Sequence, residues 1–381
     1  MRTRGAVGVA LACACVAAGC GGSPTASPDA GTCAASDALW AASDYSSSAV
    51  GAFTLSGLTT ATTGRVDLGA DPALSVSRGS AFLVARDLDT IFTLDPVCGT
   101  PTASFSVHQA SHAGSSNPQD VALASDGSMW VPLYNVPSLV VLSPAGDVTT
   151  TLDLSSYDGD GNPNASAIAI VDTPAGEKAF VALERLDDAN DYVSDQPSFM
   201  LRIDVPTATV EATIVLAGRN PFAMENDDGI LWLADPGNFD DATEPDAGVE
   251  RFDTSTSTSA LVVTETALGG SVAQVSVSAG CGVAIVANAV TNVNATSLVV
   301  FDSTSGTPIA PASSSPLATS GYDLDGLAWI DGAVVLGDRD RAGDGYPLHV
   351  FDAAPSCALS QRPDAVFLPL PPIGVRAVST P

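Results

Sequence analysis

Residues 117–154 read NPQDVALASDGSMWVPLYNVPSLVVLSPAGDVTTTLDL, and this one stretch contains a complete structural unit. An apolar run ends in the turn pair Asp126-Gly127, a second run follows, a loop leads to a third, and a turn at Pro144-Ala145-Gly146 leads to a fourth. Four short segments rich in valine, leucine and threonine, separated by turn residues, predict one small antiparallel sheet.

Similar units begin near Asp71, Asn162, Asn220, Gly270 and Tyr322, spaced about 45 to 58 residues apart. A four-stranded sheet of this size cannot bury both faces alone, so a series of them stacks, and a repeat of this length predicts the blades of a β-propeller. Long helical patterns are absent. Before Asp71, the segments ALWAASDY, SAVGAFTL and TTGRVDL supply three strands without a first, and PIGVRAVST at residues 372–380 supplies one strand without companions. Joining them makes a seventh blade whose inner strand comes from the end of the chain. This removes the open sheet edges that a six-bladed ring would leave. The fold expected is all-β, a seven-bladed propeller over residues 37–381.

The segment before the repeats has a different character. MRTRGAVGVALACACVAAGC carries Arg2 and Arg4, then an apolar run too short to span a bilayer, then small residues ahead of Cys20, as in a signal peptide over residues 1–19. Ala17-Ala18-Gly19-Cys20 resembles the bacterial lipobox, although Ala17 stands where that motif prefers leucine or valine. The resemblance implies lipidation of Cys20. Gly21-Gly22 in place of an aspartate implies, by analogy with enteric bacteria, sorting to the outer membrane. Residues 20–36, rich in Gly, Ser and Pro, read as a flexible tether.

With 43 acidic against 14 basic residues, the chain has a formal net charge of −29. Nucleic acid and anionic lipid surfaces are therefore poor partners, and the membrane is reached through the lipid anchor only. Nothing in the pattern calls for more than a monomer.

Within the repeats, GVERFDTSTSTSALVVTETALGG (248–270) and FMLRIDVPTATVEATIVLAGRNPF (199–222) resemble the YVTN-type repeats of the YncE-like propellers. There a strand ending in Asp precedes a threonine-rich turn and a strand leading to Asn-Pro. The resemblance covers most of residues 37–379. It implies a binding or interaction module of the bacterial envelope. Propellers of the same shape also include lactonases and quinoprotein dehydrogenases, so shape alone does not choose among them.

Blade topology assigns the loops between second and third strands, and the crossings between blades, to one face. That face carries ERLDDANDYVSDQPS (184–198), DPGNFDDATEPDAG (235–248) and DRDRAGDGYP (338–347), long and acidic, so ligand binding is expected there. Asp44, Asp87, Asn135, Glu184, Asp235, Asn288 and Asp338 end the second strands at about one level, at or just outside the mouth of the central channel. Most of these residue types cap turns with their own side chains. Glu184, Asp235, Asp338 and Asn288 are the candidates for ligand contact, and calcium is the one cofactor such a ring of oxygens would hold.

LSSYDGDGNPNAS (154–166) imitates a calcium loop, with Asp158, Asp160 and Asn162 at alternate positions. Read as an EF-hand it fails, because Pro163 stands where glycine is needed and Ala169 where a bidentate glutamate belongs. Asn162-Pro163 repeats the blade-start signature of Asn117-Pro118 and Asn220-Pro221. What survives is a weak metal candidate at Asp158 and Asp160.

Enzymatic signals are thin. The three histidines, His108, His112 and His349, lie in no metal-ligand spacing, and no G-x-S-x-G elbow occurs. Cys33, Cys98, Cys281 and Cys357 remain after Cys20, an even number that suggests two disulfides in an exported chain. All four map to the face opposite the acidic loops. Cys33–Cys98 and Cys281–Cys357 would staple the blades beside the closure, while sequence alone permits other pairings. The functional expectation is a non-enzymatic binding module taking a protein, peptide or glycan, with a calcium-dependent hydrolase of the lactonase type as the alternative.

Overall fold

The computed structural model describes residues 36–66, 68–239, 241–287 and 295–378. Cys20, the expected signal peptide and nearly all of the tether lie outside the described residues, as does Asn288. The described residues form seven antiparallel sheets arranged as the blades of one ring.

The first blade closes the ring. Its inner strand is Pro372–Ala377, hydrogen-bonded to Ala38–Ser43, with Ser48–Thr54 and Thr59–Val66 outside. Ala38 pairs with Ala377 and Trp40 with Val375, with a register shift between Ala41 and Ala42. The seven-bladed expectation therefore holds, and the six-bladed alternative does not. Inner strands of the remaining blades are Pro72–Ser77, Ala122–Leu123, Ala165–Thr173, Ala223–Asp227, Ser271–Ser278 and Leu324–Ile330.

Each blade's second strand is apolar on both sides because it packs against two neighbours. In Gly176–Leu183, Val181 joins Trp130 and Leu139 of the preceding blade, whereas Phe180 joins Leu231, Leu233 and Phe252 of the next. The Phe180 and Phe252 rings meet edge to face at 5.7 Å. Each such side chain contributes about 1.5–3 kcal/mol by leaving water, which is why the strands read as nearly continuous hydrophobic runs.

The repeated Asn-Pro start has a backbone cause. Asn117 and Asn220 take φ of 53° and 61°, in the left-handed region that asparagine tolerates better than most residues. In the fourth blade it is Asn164, one residue past Pro163, that does so at φ 49°. The sixth and seventh blades depart from the simple repeat, since their outer strands are each split in two, at Pro308–Ala310 with Leu317–Ala318 and at Leu359–Gln361 with Val366–Leu368. Pro311, Pro316 and Pro363 fall in the gaps, where an amide N–H for the ladder is missing.

Cys281 and Cys357 are disulfide-bonded with Cα atoms 5.5 Å apart, joining the sixth and seventh blades. Cys98 is disulfide-bonded too. Cys33, the partner expected for it, lies outside the described residues.

Candidate functional site

A cavity of about 1100 Å³ runs between the inner strands of all seven blades. Its wall is polar in a regular way, because inner-strand side chains bind the backbone of the next blade. Ser75 Oγ donates to the Val121 carbonyl and to Asp120, and Asp120 in turn accepts the amide of Ile168 at 3.1 Å. Ser166 donates to the Pro221 carbonyl. Gln274 Oε1 accepts the amides of Gly326 and Leu327, and Ser276 Oγ accepts that of Trp329. Each bond satisfies a backbone group at a strand that is an edge toward the channel, so the polar wall is also structural.

Charged groups enter the cavity within this frame. Burial raises the carboxyls of Asp120, Glu225 and Asp325, and it takes Glu225 to about 7 despite the help of Ser276. Arg339 donates to Asp325 at 3.2 Å, and its guanidinium lies 5.0 Å from the centre of the Tyr45 ring. Arg86 pairs with Asp71 at 2.7 Å. At the opposite mouth Arg78 bridges Asp172 and Glu177, tying the second blade to the fourth.

Of the residues expected near the upper mouth, Glu184 lines the cavity. It is 2% exposed, accepts a hydrogen bond from Tyr134 Oη at 2.8 Å, and burial followed by the nearby Asp188 takes it to about 8. Burial thus favours the neutral form of this carboxyl. Asp44 and Asp87 cap backbone amides, those of Ser46 and Ser47 and those of Ala70 and Asp71. Asn135 donates to the Ser115 carbonyl. Asp338 faces His349 Nε2 at 3.2 Å.

Asp235 lies outside the cavity and is fully buried. It sits beside two further fully buried carboxyls, Glu250 and Glu265. Glu250 accepts the amides of Ala217 and Gly218, and Glu265 accepts that of Val272. Burial, then Glu250, then Glu265 raise Asp235 well above the usual carboxylate range. As an ionised acceptor it has no donor, whereas once protonated it can donate to Glu250. The group is a proton-sharing cluster between blades, tightly closed by Gly218, where a Cβ would fall 2.0 Å from Asp235 Oδ2.

The 154–166 stretch is braced in a similar way. Asp158 faces Arg185 at 3.4 Å, Asp160 accepts the amide of Asp188, and Asn162 and Asn164 each donate to the Asp188 carboxylate. Among the described residues, no three His, Cys, Asp or Glu side chains form a set that could hold a metal.

Of the five aromatic residues exposed among the described residues, four share one side, the exception being Phe367 in the outer strand Val366–Leu368. Tyr45, Tyr192, Phe222 and Tyr322 are each about half exposed, and all four lie in second-to-third-strand loops or blade crossings, on the acidic face. Three of them, Tyr45, Phe222 and Tyr322, also line the cavity. Sequence reasoning did not single out these aromatics or the wall residues Asp120, Glu225, Gln274, Asp325 and Arg376. The signal existed: each is a polar residue interrupting the apolar pattern of an inner strand or its approach.

Comparison with protein-family models gives no match, and neither does comparison with curated proteins. Solved structures do match. A protein described as a 6-phosphogluconolactonase from Bacteroides uniformis superposes with a TM-score of 0.56 at 12% identity, over 89% of this chain and 98% of that one. The dihydro-heme d1 dehydrogenase NirN gives 0.53 at 15% identity, over 92% and 77%. The WD40 repeats of RRP9 give 0.52 at 12%, over 79% and 80%. At such identities the likeness establishes the propeller fold alone, and the three neighbours have unrelated activities.

Proposed function

We propose that this chain is a non-enzymatic binding module of the bacterial cell envelope, which takes its ligand at the acidic loop face and the channel mouth beneath it. The observation that carries this reading is that Tyr45, Phe222 and Tyr322 line a large cavity of mixed polar and apolar wall, on the same face as the long loops. Exposed aromatic rings beside a preformed cavity are the usual material of a recognition surface. Lipidation at Cys20 would carry the module to the outer membrane. The YncE-like resemblance of its repeats agrees with such a role.

The lactonase-type alternative draws on the shape shared with the protein from Bacteroides uniformis. It lacks a carboxylate set suited to calcium in the channel among the described residues. Glu184, the best-placed candidate, is already engaged by Tyr134 Oη, and burial raises it to about 8.

Three measurements test the proposal. Thermal unfolding in a soluble envelope extract should shift upward for the native protein and not for Tyr322→Ala. Lactone turnover that appears on adding calcium, with no shift in the extract, would overturn the binding reading in favour of the hydrolase. Labelled-fatty-acid incorporation lost in Cys20→Ser is expected for the anchor, and unchanged membrane fractionation of that variant would remove it.

A further inference from the structure

Four arginines line the cavity, and three are committed to carboxylates: Arg78 to Glu177, Arg86 to Asp71 and Arg339 to Asp325. Arg376 is different. Its one hydrogen bond goes from Nη1 to the neighbouring Val375 carbonyl, and among the described residues no carboxylate comes within 4.0 Å of it. Arg376, Asp120 and Glu225 nevertheless all line the one cavity, from the first, third and fifth blades. Asp120 holds blades together through Ser75 and Ile168, and Glu225 leans on Ser276 and Val277, yet a carboxyl has lone pairs enough to accept a further donor. The guanidinium therefore has donors that no carboxylate takes, in a cavity that Asp120 and Glu225 also line.

The charge pattern selects the kind of ligand. An anion would meet Arg376 but also Asp120, Glu225 and Asp325, inside a protein of net charge −29. A cation would meet the arginines, and the nearest aromatic site for one, over Tyr45, is already taken by Arg339. A hydroxyl group accepts from a guanidinium and donates to a carboxylate at once, so neighbouring hydroxyls join the two signs with no charge left over. Tyr322 and Phe222 are about half exposed where they line the cavity, and the Phe222 ring is held by an edge-to-face contact with Phe239 at 5.2 Å. Rings of this kind cover the C–H face of a sugar.

We infer that the channel binds a neutral oligosaccharide, with Arg376, Asp120 and Glu225 sharing its hydroxyls and Tyr322 and Phe222 stacking on its rings. This inference rests on the binding reading above and names its ligand class. The test is an array of neutral, acidic and amino-substituted oligosaccharides probed with the full chain, followed by calorimetry with the best neutral trisaccharide retained. Neutral glycans should be retained. Arg376→Ala and Tyr322→Ala should each weaken binding about tenfold or more, as expected when a charged hydrogen bond or a stacked ring is removed. Arg376→Lys should lie between, and circular dichroism and thermal midpoints of all three variants should match the parent. Retention of polyanions or polyamines alone, or neutral retention indifferent to Arg376→Ala, would overturn it. A blank array beside an extract-induced shift that Tyr322→Ala abolishes would defeat the glycan inference and leave the binding module standing.

Discussion

Gly326 in the inner strand of the seventh blade lies against Gly374 in the inner strand of the first, so close that a Cβ on Gly326 would fall 3.1 Å from the Gly374 backbone. The two strands meet between the seventh blade and the first, beside the pairing of Pro372–Ala377 with Ala38–Ser43 by which the chain's ends close the ring. Gly326 also takes φ of 82°, which a residue with a Cβ adopts only under strain. Gly326→Ala should therefore destabilise the fold by more than about 1 kcal/mol. Urea unfolding would read this directly, and a gain in stability would contradict the tight seam.

Burial of acids sets the pH dependence. Glu184 and Glu265 stand at about 8 and Glu225 at about 7 in the folded chain, all above the ordinary value of 4.5. The folded state thus binds more protons than the unfolded one between these limits. Stability is fully present below pH 4.5 as far as these groups are concerned, and is lost as pH rises through 7 to 8. Melting temperature should fall from mildly acidic to mildly alkaline buffer. Glu265→Gln should flatten that slope and raise stability mainly at the alkaline end, whereas a slope unchanged by the substitution would remove Glu265 from the explanation.

Asp120 offers a contrast, since its carboxylate ties three blades through Ser75, its own neighbour Val121 and Ile168. Asp120→Ala takes this acceptor from the amides of Val121 and Ile168, while the Ser75 hydroxyl keeps the Val121 carbonyl. The cost should be about 2–4 kcal/mol by denaturant unfolding, and Asp120→Asn, which keeps one acceptor, should lose less. Equal losses would mean that the charge rather than the hydrogen bonding matters.

Much of this architecture was legible in the chain. The repeat of four apolar segments, the orphan strand at Pro372–Ala377 and the three strands before Asp71 determine seven blades and their closure, because only one arrangement leaves no edge unpaired. The site was less legible, for a geometric reason. A second strand is screened from the channel by the inner strand, so a carboxylate at its end, such as Asp235, turns into the space between blades. Glu184 and Asp235 are alike in sequence position, yet only Glu184 reaches the cavity. The wall is instead made by single polar residues on inner strands, and one polar residue in an apolar run looks like a tolerated exception until seven strands converge. The calcium-like stretch at Asp158 and Asp160 owes its composition to a crossing that must cap its own amides and those of the Asp188 loop.

The Cys281–Cys357 bond spans 76 residues and ties the sixth blade to the seventh, one blade away from the seam. Closing a loop of that length restricts the unfolded chain by about 4 kcal/mol in the entropic account, and measured effects are commonly smaller. Both cysteines are almost fully buried, so replacing them also changes packing. A Cys281→Ala/Cys357→Ala double variant should be less stable by about 2–4 kcal/mol, and reducing agent should lower its unfolding midpoint less than that of the parent. Each single variant would leave a buried free thiol beside an alanine, and should be no more stable than the double variant once reducing agent is present. If reduction leaves the parent's midpoint unchanged, the staple is not what holds these two blades, and the apolar contacts of Val283, Leu298, Leu336 and Phe351 between them suffice.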